Sequence, residues 1–256
     1  MRVIFTDLDG TLLDASYRFD AARRALACCQ ALRVPLVAVS SKTLAEMTQW
    51  ARPLGLAALV YENGFGIALR EASPAWLRPR VLARFGYHRP HRQENAWFLW
   101  EQPLPDLKAR FQPVIQRFPP EALRWATDLS LEEWVRITGL SPEMARRARQ
   151  RRGVPPLWVA PAFRTSVIQA LQQAGFRVGQ GRHFVTAAPY DKGVAVQALV
   201  AAVRARHAHA RFLALGDQPA DEAMAPFVDR FVKVQGPAAW DRVVRQWLGC
   251  NGGKVE

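Results

Sequence analysis

The chain has 256 residues, half of them hydrophobic, and carries a formal charge of +13 from 35 Lys and Arg against 22 Asp and Glu. That length and apolar content exclude global disorder and suit one large α/β domain or two modest ones, while no apolar run reaches the roughly 18 residues needed to cross a bilayer. So basic a surface leaves open nucleic acid, an anionic membrane surface or a small anionic substrate, and no recognised nucleic-acid-binding module is present to favour the first.

In chain order, Arg2 to Thr6 reads as a buried strand, entered without the basic lead-in or small-residue cleavage site of a signal peptide. It runs into "DLDGT", where Asp7 and Asp9 stand one residue apart. Like charges that close raise each other's pKa and call for a counter-charge, usually a metal, although Asp and Gly are common in plain turns as well. Asp20 is placed to cap a helix with apolar Ala22, Ala25, Leu26, Cys29 and Leu32 at helical spacing, ended by Pro35. "LVAVSS" (Leu36 to Ser41) is a second strand ending in hydroxyls, Lys42 to Leu54 a helix, and "LAALVYENG" a third strand running into a polar turn at Glu62, Asn63 and Gly64. The alternation predicts a parallel sheet with crossover helices and functional side chains at the carboxyl ends of its strands.

From about Phe85 to His183 the pattern changes. "NAWFLWEQP" is a possible strand, "LPDLKARFQPVIQRF" a helix broken or kinked at Pro113, and "SLEEWVRITGL" a helix with Ser130 and Glu133 as its capping box. "SPEMARRARQRR" is a further helix with Pro142 in its first turn, ending at Gly153. Asp191 and Lys192 then precede the long helix "GVAVQALVAAVRARH", followed by the strand "RFLALGD", a turn with a short helix, and the strand "RFVKV". The fold class expected is α/β: a Rossmann-like doubly wound parallel sheet core, residues 1–84 and 185–250, with an inserted α+β cap, residues 85–184, and a flexible tail, 251–256. The arginine-rich run Arg146 to Arg152 is read either as a solvated face or as charge that attracts an anionic substrate at the mouth of the cap. Cys28, Cys29 and Cys250 supply neither a disulfide framework nor metal-ligand spacing, which fits a reducing cytoplasm.

Four features fall in order at the strand ends: Asp7 with Asp9, Ser40, Lys192, and Asp217 with Asp221. Phosphoryl transfer needs a nucleophile, a metal to neutralise phosphate, a cation on the transferring oxygens and an acid for the leaving group. Asp7 is the candidate nucleophile and Asp9, on the same side of the turn, the acid and base. Asp217, an Asp7 oxygen and the Asp9 carbonyl would hold Mg²⁺, supported by Asp221, because that hard cation prefers oxygen ligands. Ser40 and Lys192 would hold the phosphoryl oxygens.

With these residues in place, the chain resembles the haloacid dehalogenase superfamily. The likeness rests on "DLDGT" (Asp7 to Thr11), Ser40, Lys192 in "YDKG", and "GDQPAD" (Gly216 to Asp221). The resemblance implies a cytoplasmic, Mg²⁺-dependent phosphatase that works through an aspartyl-phosphate, the Asp at position 9 being associated with phosphatases and mutases. The position of the insert, between "ENG" and "DKG", is similar to the type 2 cap of the Cof-like branch. Within that branch "SSKT", "ENGFGI", "TGLSPEMARRARQR" and "GQGRHF" are most like the mannosyl-3-phosphoglycerate phosphatases. This implies a small anionic phosphorylated substrate, hydrolysis to the compatible solute mannosylglycerate, and candidate substrate contacts at Lys42, Asn63, Arg151, Gly181, Arg182 and His183. Two departures stand out: Gln218 and Ala220 where relatives carry Ser and Asn, and "RRGVP" at Arg151 to Pro155 where an acidic cap motif is usual. The alternatives are a generic Cof-like sugar or cofactor phosphatase, a phosphomutase, or a basic nucleic-acid-binding or scaffold protein with a decayed catalytic core.

Overall fold

The computed structural model describes residues 1–88, 91–92, 97–104, 107–181 and 183–250, so the expected tail at 251–256 and the candidate Arg182 lie outside the described residues. The elements run β1 (Arg2–Thr6), α1 (Arg23–Ala31), β2 (Leu36–Val39), α2 (Leu44–Ala51), β3 (Ala58–Tyr61), β4 (Gly66–Leu69), β5 (His91–Arg92), β6 (Phe98–Glu101), α3 (Leu107–Ile115) and β7 (Leu123–Trp125). They continue with α4 (Leu131–Thr138), α5 (Pro142–Ala148), β8 (Leu157–Val159), α6 (Arg164–Gln173), β9 (Arg177–Gln180), β10 (Phe184–Ala188), α7 (Lys192–Arg204), β11 (Arg211–Gly216), β12 (Arg230–Lys233) and α8 (Gly236–Leu248).

The larger sheet has the order β12-β11-β1-β2-β3-β4-β6-β5. From β12 to β3 the strands are parallel, as the alternating pattern predicts; β4, β6 and β5 add an antiparallel wing. Every residue of β2 and β3 is buried, the signature of strands covered on both faces. Alternate side chains serve the two faces: Val3, Phe5, Val37, Val39 and Phe212 pack with α7, while Ile4, Ala38 and Leu213 pack with α1, α2 and α8.

The strand in "NAWFLWEQP" was expected in the inserted module, but β6 hydrogen-bonds along its length to β4 and so belongs to the larger sheet. Conversely, β10, whose residues from 185 on were expected in the core, pairs with β8 and β9 in a separate antiparallel sheet of order β7-β8-β10-β9. That small sheet, with α3 and α6 and with α4 and α5, forms the cap. Its outer helices close on a cluster of their own, Ala126, Leu129, Trp134, Ala145 and Ala148. The helix α3 runs through Pro113 to Ile115 without a break. In contrast, α5 stops at Ala148, five residues before the expected Gly153, which frees Arg149 to Gly153 to run along the core.

Asp20 does not cap α1; its carboxylate receives the guanidinium groups of Arg18 and Arg23 instead. The free amide of Ala25 in the first turn of α1 donates to Asp241 Oδ1 at 2.8 Å, a carboxylate supplied by α8. Trp240, fully buried on the same helix, donates its indole N–H to Thr6 Oγ1 at 2.9 Å. The cysteines correct a second expectation: Cys28 of α1 is joined by a disulfide to Cys250, just beyond α8, and Cys29 stays free and buried. Among the described residues no helix is long and apolar enough to cross a membrane.

Candidate active site

The carboxyl ends of β1, β2, β3 and β11 open on one side of the larger sheet, which is where the sequence places its acids and Lys192. Asp7 follows β1 directly, and its N–H donates to Leu215 O at 2.9 Å, which keeps the ends of β1 and β11 level. The ammonium of Lys192, in the first residue of α7, sits 2.7 Å from Asp7 Oδ1 and 2.6 Å from Asp221 Oδ1. Asp191 starts that helix by accepting from Val194 N at 2.9 Å, so the ammonium is aimed by a capped helix end.

All three charged groups are buried. Burial pushes the Asp7 carboxyl up to about 7, further than the attraction of Lys192 brings it down, and the neighbouring Asp221 adds to the rise. Burial disfavours the charge on Lys192 most strongly, yet Asp7 and Asp221 together outweigh it and hold the ammonium protonated above its ordinary range.

Asp217 follows β11 directly, and its Oδ1 accepts from Thr11 Oγ1 at 3.1 Å while its other oxygen contacts the side-chain amide of Gln218. Gly10 makes this approach possible: its φ is +74°, and a β-carbon there would fall on the Asp217 carboxylate. Asp221 is fully buried and spends its second oxygen on the backbone N–H groups of Asp217, at 3.0 Å, and Gln218, at 2.9 Å. Asp7, Asp217 and Asp221 each offer a carboxylate oxygen within 4.8 Å of the others. Three hard oxygen donors, each oriented by hydrogen bonds, fit Mg²⁺ rather than a soft metal. The Asp9 carboxylate is outside this group; it pairs with Lys42 Nζ at 2.9 Å.

Lys42 is buried between the rings of Tyr17 and Trp50, with Glu46 Oε1 at 3.8 Å. Burial opposes its charge most, but Asp9 and Glu46 overcome that and raise its pKa. Thr43 and Glu46 form the capping box of α2 next to it, a pairing legible in "TLAE". Ser40 is buried at the end of β2, and its Oγ accepts the Lys42 N–H at 3.2 Å.

A cavity of about 350 Å³ lies between these strand ends and the cap, lined among others by Asn63, Arg151, Arg177, Gly179, Thr186 and Lys192. Lys192 thus belongs both to the carboxylate cluster and to the cavity. Arg151 donates to Ser41 O at 3.1 Å, and its buried Nε lies 3.7 Å from Glu62 Oε2. Asn63 Nδ2 donates to Thr186 Oγ1 on β10 at 3.1 Å, across the boundary between core and cap. Arg177 is held by Asp191 at 2.7 Å.

No protein-family model matches the chain. Along almost its whole length, however, it is 28% identical to a glucosyl-3-phosphoglycerate/mannosyl-3-phosphoglycerate phosphatase of Methanococcoides burtonii, the alignment covering 97% of this chain and 98% of that protein. A protein of the same description from Persephonella marina is also 28% identical, over 76% of this chain and 70% of its own length. A haloacid dehalogenase-like hydrolase from Bacteroides thetaiotaomicron shares the fold with a TM-score of 0.60 at 14% identity, covering 96% of this chain and 99% of that one. The sucrose-phosphatase of Synechocystis, solved with sucrose and phosphate, does so with a TM-score of 0.55 at 17% identity, covering 99% and 90%. The fold of this chain is that of the haloacid dehalogenase-like hydrolases.

The structure brings together Asp7, Lys192, Asp217 and Asp221 in one cluster, and Asp9 with Lys42 beside Ser40. It does not bring Gly181 or His183 to the cavity. Gly181 sits in the turn between β9 and β10, donating to Phe184 O and accepting from Arg164, while Gly179 and Thr186 of the same hairpin line the cavity. Sequence reasoning missed Thr11, Gln218, Glu46, Arg177 and Thr186. Thr11 and Gln218 lay inside the quoted "DLDGT" and "GDQPAD", and Glu46 carries the local signal of its capping box with Thr43, whereas Arg177 and Thr186 have no such signal.

Proposed function

We propose that the chain is a phosphoric monoester hydrolase that removes phosphate from a small anionic sugar phosphate, with mannosyl-3-phosphoglycerate or its glucosyl counterpart as substrate. The observation that carries this reading is the Lys192 ammonium seated between Asp7 and Asp221 while its side chain also lines the cap-covered cavity. The glucosyl-3-phosphoglycerate/mannosyl-3-phosphoglycerate phosphatase relatives, aligned over most of the chain, support the substrate.

The chemistry follows from the positions. Asp7 attacks phosphorus, forming an oxygen–phosphorus bond as the bond to the leaving oxygen breaks, and becomes an aspartyl-phosphate. Asp9, half-exposed at the entrance to the site, gives its proton to that oxygen and later takes one from the water that hydrolyses the acyl phosphate. Ser40 and Lys192 hold the phosphoryl oxygens, and Asn63 and Arg151 face the leaving group in the cavity. Mg²⁺, held by Asp7, Asp217 and Asp221 and by the Asp9 carbonyl, would supply charge neutralisation for the phosphoryl group.

The test is phosphate release, with Mg²⁺ present, from a panel of sugar phosphates that includes both sugar phosphoglycerates. One of the two is expected to exceed the rest of the panel by at least about tenfold in kcat/KM, about 1.4 kcal/mol of discrimination. Near-equal rates across the panel would overturn the substrate assignment, and an active Asp7→Asn variant would overturn the mechanism.

A further inference from the structure

Glu62 and Asn63 are consecutive non-glycine residues in the left-handed backbone region, with φ of 51° and 56°. Such a conformation persists only where its surroundings over-determine it. The backbone of the turn is fixed from the core: Glu62 N–H donates to Lys42 O at 2.9 Å, Asn63 N–H to Ser40 O at 3.0 Å, and Tyr87 OH to Gly64 O at 2.8 Å. The side chains go the opposite way. The two oxygens of Glu62 accept the backbone N–H groups of Arg152, at 2.9 Å, and Gly153, at 2.8 Å, and Asn63 reaches Thr186 of the cap. Glu62 is only 4% exposed. A carboxylate that deep is costly unless its oxygens are satisfied, and what satisfies them is cap backbone, with the Arg151 guanidinium nearby. A second tether, Arg152 to Glu101 at 2.5 Å with Tyr61 OH on the same carboxylate, starts from the end of β6 on the antiparallel wing.

We propose that Glu62 is a positioning residue: by clamping the Arg152–Gly153 backbone to the turn bonded to Ser40, it sets where the cap holds the leaving group relative to Asp7. The Arg152–Glu101 pair fastens the cap from β6 and the Tyr61 side chain, and not from the turn whose backbone is bonded to Ser40 and Lys42. The proposal rests on the reading above that the leaving group lies in the cavity under the cap. It predicts a loss that scales with how much of the substrate the cap touches, which mere structural support would not produce.

Two variants test it, Glu62→Ala and the milder Glu62→Gln, which keeps one acceptor oxygen. Each is assayed on the best sugar phosphate of the wild-type panel and on p-nitrophenyl phosphate, whose small leaving group needs little of the cap. Amide hydrogen exchange is followed over 147–154 in the same proteins. For Glu62→Ala, kcat/KM on the sugar phosphate is expected to fall at least tenfold and on p-nitrophenyl phosphate by less than about threefold. Exchange at 152 and 153 should quicken at least tenfold, and Glu62→Gln should fall between Glu62→Ala and wild type. Equal losses on the two esters, unchanged exchange, or fast exchange with an undiminished sugar phosphate rate would each overturn the proposal. If Glu62→Ala does not fold, Glu62→Gln is judged by the same ratios. A wild-type enzyme that prefers some other sugar phosphate refutes the substrate assignment alone, and the clamp is then judged on that ester.

Discussion

At the scale of single residues, the proposed nucleophile is a destabilised group. Asp7 is raised from 3.8 to about 7 by burial, with Lys192 only partly offsetting this. A carboxyl whose folded pKa lies above its unfolded value contributes stability that is fully present below the unfolded pKa and lost as pH rises through the folded one. In metal-free protein that loss runs from about pH 4 to about pH 7, and Asp7→Asn escapes it. We expect urea unfolding in EDTA to show the variant gaining on wild type as pH rises from 5 to 8, by on the order of 2 kcal/mol. No gain, or a larger gain at pH 5, would refute the reversed balance at this site. The same residues show what a sequence makes visible at this scale. "DLDGT" and "GDQPAD" are local strings, so the acids could be read directly, whereas the role of Gly10 depends on Asp217 arriving from more than 200 positions away.

At the scale of elements, the parallel strands were legible because buried five- and six-residue runs such as "RVIFT" and "RFLALG" declare themselves. The cap sheet was not, since β7 and β8 have three residues each and their partners lie far apart in the chain. The run Arg146 to Arg152 could not be assigned from composition. In the fold Arg147 bonds Gln49, Arg151 reaches Ser41 and Arg152 reaches Glu101, so much of that charge ties the cap to the core. The pairing of α1 with α8 was equally hidden, because the acid that serves the start of α1 is Asp241 and not the adjacent Asp20. Asp241→Ala should cost about 1–2 kcal/mol, by leaving the buried Ala25 N–H without an acceptor and freeing Arg245. Asp20→Ala, which loses only exposed, solvent-screened ion pairs, should cost less than Asp241→Ala. Thermal melts of the two variants decide the assignment, and a larger loss for Asp20→Ala would reverse it.

For the whole molecule, three carboxylates around one ammonium leave an excess of negative charge that a divalent cation would relieve. Mg²⁺ should therefore raise the melting temperature in a saturable way, by a few degrees at about 100 times its dissociation constant, and EDTA should reverse the shift. Asp217→Asn should abolish the shift while leaving the metal-free melting temperature near that of wild type. A full shift in that variant would place the ion elsewhere.

The position of β1 between β11 and β2 also has a consequence for how the molecule is born. The strand that carries the proposed nucleophile is made before the cap, yet its neighbour on one side ends at Gly216 and comes after the entire cap. Until then the hydrophobic edge of β1 stands open to wrong partners, and the cluster still lacks Asp217 and Asp221. The carboxylate cluster therefore cannot assemble before residue 221 has been made, and a chain cut short anywhere in its first two hundred residues lacks two of its three acids.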